Sequence, residues 1–301
     1  MTEQTTVPPP VPDGAAPAGA APTEEEPTGR LARLARLQAL QIIIVLAVIV
    51  VIFSILKPSA FLTVFNIRGI VQNTAILAVL AVGMTFVIIT GGIDLSIGSV
   101  LVFSGVVADK VMANVGGGQG WGTAIIGALV AIACGLAWGL INGFLVARAK
   151  VPPLIVTLGT LGMALGLAEV ITGGVDLRNV PTVMVNTVGF GNIVGQLPWL
   201  VVIAAVIVVL GIVLLHRTRF GLHTYAIGSN PEAGRRAGVN VPRHLVMIYA
   251  LSGLLAGFAG WLNLAFFDPR PLSTFTDLAP DVTTWAVGGH SLGGVRACQL
   301  A

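Results

Sequence analysis

Between residues 38 and 266 the chain alternates long apolar runs with short breaks of glycine, proline and charge. Runs near 38 to 56, 69 to 90, 95 to 115, 121 to 147, 153 to 173, 196 to 215 and 245 to 266 match the ~20 residues with which an α-helix crosses a bilayer. An eighth run begins near 279. The pattern predicts an all-α fold, a polytopic transmembrane helical bundle of about eight spans. Residues 1 to 28 break the pattern: Pro, Ala, Thr and acid dominate, with Glu24, Glu25 and Glu26 in succession. Such a segment buries little and is expected to be a disordered tail. The first apolar run comes only after residue 38, too late for a secretory signal, so residues 29 to 301 are read as one membrane domain.

Composition agrees. The chain is 55% hydrophobic and 10% charged, whereas soluble domains carry roughly 25% charged residues. The charges it keeps lie beside the spans. With the N-terminus inside, ten of the sixteen Lys and Arg fall in inner connections: Arg30, Arg33, Arg36, Arg148, Lys150, Arg217, Arg219, Arg235, Arg236 and Arg243. Lys57, Arg68, Lys110, Arg178 and Arg270 fall outside, and Arg296 lies beyond the last assigned span. The bias follows the positive-inside rule and predicts a cytoplasmic N-terminus. The net charge of +3 is then a matter of topology rather than of nucleic-acid binding. Arg30, Arg33 and Arg36, three apart, are placed on one side of a helix near anionic headgroups. Cys134 and Cys298 form no disulfide framework or spaced metal-ligand set, and His216, His223, His244 and His290 lack the i, i+4 spacing of helical zinc sites.

Small residues recur four apart: Gly135, Gly139 and Gly143, then Gly162 and Gly166, then Ser252, Ala256 and Gly260 beside Gly253 and Gly257. In lipid such stripes let helix backbones approach closely, so all three are expected at helix contacts. Ile89-Thr-Gly-Gly-Ile-Asp-Leu95 is echoed by Ile171-Thr-Gly-Gly-Val-Asp-Leu177, after the second and fifth spans. The topology puts the two on opposite membrane faces, as inverted repeats would be.

No Gly-x4-Gly-Lys-Ser/Thr loop, nucleophile elbow or HExxH helix occurs, so the chain reads as a non-enzyme. If it works with ATP, another subunit binds it. The longest basic connection, residues 216 to 244, holds five Arg and one acid, Glu232. Within it, Pro231 can open a short helix with Glu232 and Ala233 in its first turn and Gly238 past its end.

Glu232-Ala-Gly234 followed by Gly238 and Val241-Pro242 resembles the Glu-Ala-Ala loop by which importer permeases dock onto their ATPase, with Gly234 in place of the usual second alanine. Four further stretches, in order, resemble the ribose/xylose-type permease family of ABC importers: Gly83 to Ser99, Gly139-Leu-Ile-Asn-Gly143, Pro152 to Thr160 and Arg219 to Asn230. The resemblance runs from about residue 38 to about 295. It implies a permease subunit of the bacterial cytoplasmic membrane, a second permease copy, ABC ATPase subunits and an extracytoplasmic solute-binding protein. ATP and Mg would be bound by the ATPase, and no cofactor by this chain. It also implies contact with the ATPase through Glu232, Ala233, Gly234 and Gly238. Family members run roughly two spans beyond a region like Gly288 to Gly294, about ten in all, so a C-terminally incomplete product is expected.

For the translocation path the candidates are Thr90, Gly91 and Gly92, which interrupt an apolar segment, together with Asp94, Ser96 and Asn142. Asp94 can equally cap the next helix, and Asn142 and Asn73 can equally bond between helices. Glu169, near the end of the fifth span, is expected to reach the outer surface. The solute is read as a monosaccharide. A nucleoside or a branched-chain amino acid remains open, as does an ion-coupled secondary transporter, which would need membrane carboxylates such as Asp94 and Glu169.

Overall fold

A computed structural model describes residues 38–115, 120–174, 180–193 and 195–267 of the chain. The 1–28 tail, the arginines from 30 to 36, the end of the second echo at 175–177, the span near 279 and Gly288 to Gly294 lie outside the described residues. The chain divides into two compact units. In the first, α1 (Gln38–Leu56) and the one-turn α2 (Pro58–Phe61) follow each other directly, and Phe53 stacks on Phe61 with ring centroids 5.9 Å apart. α1 is apolar on all sides and most of its large side chains are exposed, as suits a helix in lipid.

The second unit begins at Val64. Its helices are α3 (Val64–Ile89), α4 (Ile97–Asn114), α5 (Trp121–Ala147), α6 (Pro153–Thr172), the short α7 (Thr182–Met184) leading into a π-helical turn (Val185–Gly189), α8 (Trp199–Arg217), α9 (Arg219–Ser229), α10 (Pro231–Arg236) and α11 (Val241–Phe267). Among the described residues, six of these are long and apolar enough to cross a membrane: α3, α4, α5, α6, α8 and α11. With α1 they match the seven runs read from the sequence up to residue 266. α3 starts five residues earlier than the apolar run, at Val64 rather than 69, and α11 four earlier, at Val241 rather than 245. Both extra turns carry polar side chains, which hydropathy discounts although the backbone continues its hydrogen bonds.

α11 is the axis of the bundle: 67% of its apolar window is buried, against 22–44% for the other five spans. It packs on α5, α3 and α4. The closest of these contacts is made by glycine. A Cβ on Gly135 would overlap the Gly253 carbonyl, one on Gly139 the Tyr249 carbonyl, and one on Gly143 would sit 2.8 Å from the Val246 Cα. The expected stripe on α5 therefore meets the stripe on α11, backbone against backbone. Gly260 likewise lies on α4, against the Leu101 carbonyl. The stripe on α6 is a correction: a Cβ at Gly162 or Gly166 would meet nothing within 4 Å. Four-residue spacing defines a helix face but not what covers it.

α3, α5 and α8 end where α4, α6 and α11 begin, so the six spans alternate in direction. At the far end from this junction, Gln72 donates to the Gly189 carbonyl (2.5 Å) and Trp261 to that of Ala124 (2.9 Å). Arg68 bonds to the Phe190 carbonyl there as well.

Candidate functional site

The junction of helix ends holds a buried polar knot. α3 stops because Thr90 turns back on it, its Oγ1 donating to the Val87 carbonyl (2.9 Å), and because Gly91 adopts the left-handed φ of +76° that favours glycine. Gly92 follows with no room for a side chain: a Cβ would stand 2.7 Å from the Tyr249 Oη. The chain then reaches Asp94, whose Oδ1 accepts from the Ser96 N–H (3.0 Å) and the Ser96 hydroxyl (2.7 Å). Its Oδ2 accepts from the Ser252 hydroxyl on α11 (3.1 Å). Asn142 on α5 donates to Ser96 Oγ (2.8 Å), and Thr157 on α6 to the Ile93 carbonyl (3.2 Å). Asp94, Ser96, Asn142 and Ser252 are each at most 3% exposed.

The six residues read as path candidates are therefore brought together, with Tyr249 and Ser252 added by α11. Thr90, Gly91 and Gly92 line a cavity of about 70 Å³ together with Tyr249 and Pro153, space for roughly two waters at ~30 Å³ each. Among the described residues, Asn142 Oδ1 and Tyr249 Oη are buried without a protein hydrogen-bond partner. Asp94 does not cap α4 by reaching into its first turn. The N-cap is Ser96, and of the helix-start N–H groups Asp94 accepts only that residue's own. The short reach of Asp94 puts its second oxygen on α11 instead.

Two other points need correction. Asn73 bonds within its own helix, to the Gly69 carbonyl (3.0 Å), and is exposed. The side chain that crosses between elements there is its neighbour Gln72. Asp109, on α4, is a membrane carboxylate that the sequence reading passed over; it is fully buried and has an interaction partner. Glu169, one turn before the end of α6, is exposed. The two Thr-Gly-Gly echoes do share a geometry. Thr172 Oγ1 donates to the Glu169 carbonyl (3.1 Å) and Gly173 has φ +66°, repeating Thr90 and Gly91 at the opposite end of the bundle.

The connection 216 to 244 is more helical than a basic loop. Thr218 caps α9, accepting the Gly221 N–H (3.4 Å). Asn230 caps α10, its Oδ1 accepting from the N–H groups of Glu232 and Ala233 at 3.0 Å each. Pro231 occupies the first helical position, where its missing N–H costs nothing. Glu232 pairs with Arg235 (3.4 Å) and Arg236 (3.5 Å) on the exposed face, contacts worth well under ~1 kcal/mol each. Gly238 ends the turn at φ +86°. Gly234 is buried against α9, yet a Cβ there would stand 3.9 Å from Ala226 and Ile227, so an alanine fits. α9 in turn lies against the bundle through Gly228, where a Cβ would overlap the Ile89 carbonyl. α10 thus reaches the last residue of α3, next to Thr90, through one rigid helix.

An antiparallel bundle of apolar helices with its irregular backbone and buried polar groups gathered at one junction is the architecture of a membrane transport protein. The chain belongs to the family described as the branched-chain amino acid transport system permease component, whose model matches residues 66–295. It is 35% identical to the ribose import permease protein RbsC of Escherichia coli strain K12 over 244 residues, 80% of this chain and 74% of the relative. With RbsC of Bacillus subtilis strain 168 the identity is 36% over 247 residues, 81% of this chain and 74% of the relative. With the fructose import permease protein FrcC of Rhizobium meliloti it is 32% over 257 residues, 81% and 68%. No solved structure matches the chain.

Proposed function

We propose that the chain is the membrane-spanning permease subunit of an ATP-driven importer that carries a monosaccharide into the cytoplasm. The observation that carries this reading is the match of four-fifths of the chain to permeases named for ribose and fructose import. The family description names branched-chain amino acids. The individual relatives, named for ribose and fructose import, favour the monosaccharide.

In this reading the end of the bundle where α3, α5 and α8 stop faces the cytoplasm. Within the second unit it carries seven of the nine described Lys and Arg: Arg148, Lys150, Arg217, Arg219, Arg235, Arg236 and Arg243. Arg68 and Lys110 lie at the other end, a bias that favours this orientation. A separate ABC ATPase binds ATP and Mg and docks on α10 through Glu232, Ala233, Gly234 and Gly238, since this chain has no nucleotide loop and no catalytic role. An extracytoplasmic binding protein delivers the sugar, and a second permease copy completes the path.

ATP-driven closure of the ATPase pushes α10, α9 transmits the push to the end of α3, and the Asp94 knot rearranges. Thr90, Gly91, Gly92, Asp94, Ser96 and Asn142 then line the opened path. The knot suits such a two-state element because its polar groups have few alternatives to one another in lipid. The test is copurification of the membrane-expressed chain with its ATPase, followed by ATP hydrolysis measured with binding proteins loaded with different sugars. Hydrolysis that rises with one loaded protein supports the reading and names the sugar. A stable complex that responds to no sugar but to an amino-acid-loaded protein would replace the monosaccharide, and failure to bind any ATPase would end the importer reading.

A further inference from the structure

Beside the coupling connection, α9 and the start of α11 border an open cavity of about 260 Å³, the room of roughly eight waters at ~30 Å³ each. Phe220, Val239 and Met247 form its apolar wall, and His223, Asn240 and Arg243 line its polar side with His244. Two of these polar groups are already engaged. Thr224 Oγ1 spends its hydrogen on the Phe220 carbonyl (2.9 Å) and so accepts from Nε2–H of the buried His244 (2.9 Å). Asn240 Oδ1 accepts the Arg243 N–H (3.1 Å).

Two are not. Among the described residues the Arg243 guanidinium has no hydrogen bond or ion pair, and His223 makes only a ring contact with His244, centroids 5.8 Å apart. The one acid of the connection, Glu232, is already paired with Arg235 and Arg236. Among the described residues, the Arg243 charge beside the cavity therefore has no compensating acid.

Its depth is fixed by α11. Arg243 lies in the first turn of an apolar span and Met247, 46% exposed, one turn further in. On α9, Leu222 is 66% and Tyr225 44% exposed. An arginine bordered by exposed apolar side chains at the end of a span matches the boundary between headgroups and acyl chains. A soluble anion would leave the apolar wall uncovered, whereas a phospholipid satisfies both halves.

We propose that this cavity holds the phosphodiester headgroup of an anionic membrane phospholipid, with Arg243 and His223 donating to the phosphate oxygens and Leu222 and Met247 lying along the acyl chains. The proposal rests on the reading of α11 as a membrane span, not on which face of the membrane this end occupies. The full chain in nanodiscs of phosphatidylglycerol and phosphatidylcholine provides the test, with lipid retained after extraction counted by native mass spectrometry. Phosphatidylglycerol is expected to be retained in preference. Arg243→Gln is expected to lower its occupancy about fivefold, the effect of one cation near a charged surface, and His223→Gln to lower it further. Arg148→Gln, at the same end but away from the cavity, should leave occupancy unchanged. Since the Arg243 side chain has no partner among the described residues, its variant should melt with the parent. Equal losses from Arg148→Gln and Arg243→Gln would overturn the site in favour of general surface charge. Displacement of the lipid by millimolar inorganic phosphate would overturn the lipid as occupant. Both leaflets of the disc carry both lipids, so an error in orientation leaves this result unaffected and is detected separately, by cysteine labelling from each side.

Discussion

Gly228→Ala places a methyl group where the Ile89 carbonyl oxygen stands. To restore a contact near ~3.5 Å, α9 must back away from the end of α3 by on the order of 1 Å. Overpacking of this kind costs about 1–3 kcal/mol, and replacing a helical glycine by alanine returns up to ~1 kcal/mol. The net loss, at most about 2 kcal/mol, leaves the protein folded but moves the one rigid connection between α10 and Thr90. If coupling loses the same amount, stimulation of ATP hydrolysis by a loaded binding protein falls by up to roughly thirtyfold, and uptake falls with it. Gly166→Ala, on the open face of α6, is the matched control: with nothing within 4 Å of the new Cβ, it should hydrolyse and transport as the parent does. Both variants are read in proteoliposomes with the ATPase and binding protein present, after a melting curve in detergent has established folding. A Gly228→Ala protein with full stimulation, or a Gly166→Ala protein as impaired as Gly228→Ala, would refute the transmission path.

Ser252→Ala removes the donor to Asp94 Oδ2 inside the bundle, and thermal unfolding in detergent should show a loss of about 1–3 kcal/mol; a loss under ~0.5 kcal/mol would mean that the knot is not stabilising. Gly139→Leu forces α5 from α11 at the Tyr249 carbonyl, and should remove most monodisperse protein from a fluorescence-detected size-exclusion trace, whereas Gly162→Leu, on the open face of α6, should not. Gly238→Ala must hold φ +86° with a side chain, costing about 1–2 kcal/mol. Gly238→Pro cannot adopt that angle at all, so it should abolish ATPase stimulation, and retained stimulation would remove α10 from the coupling role.

Apolar run length made the spans legible, because a membrane helix must satisfy its backbone internally and so declares itself in twenty consecutive residues. The short α10 was legible for another local reason: Asn230, Pro231 and Gly238 act on the backbone beside them. α9 was not, since Arg219 to Ser229 mixes apolar and polar residues at a helix's spacing inside a segment marked by its arginines. Long-range contacts were only half visible. The Gly135, Gly139 and Gly143 stripe found a partner and the Gly162 and Gly166 stripe did not, although both have the same period. Thr90 to Ser96 and Asn142 stood out as polar breaks in apolar sequence. Tyr249 and Ser252 did not, because their importance lies in facing Gly92 and Asp94 across α11. Asp109 was missed inside an otherwise apolar run, where hydropathy averages one carboxylate away.

Uptake of labelled monosaccharide into proteoliposomes tests the central claim most directly. The vesicles would contain this chain and its ATPase, with ATP on the ATPase side, loaded binding protein on the other, and proton and sodium gradients collapsed by ionophore. The account predicts accumulation that requires ATP hydrolysis and the binding protein and is indifferent to the ionophore. Accumulation that persists without ATP and disappears with the ion gradient would contradict it, and would turn attention to the buried carboxylates Asp94 and Asp109 as coupling groups.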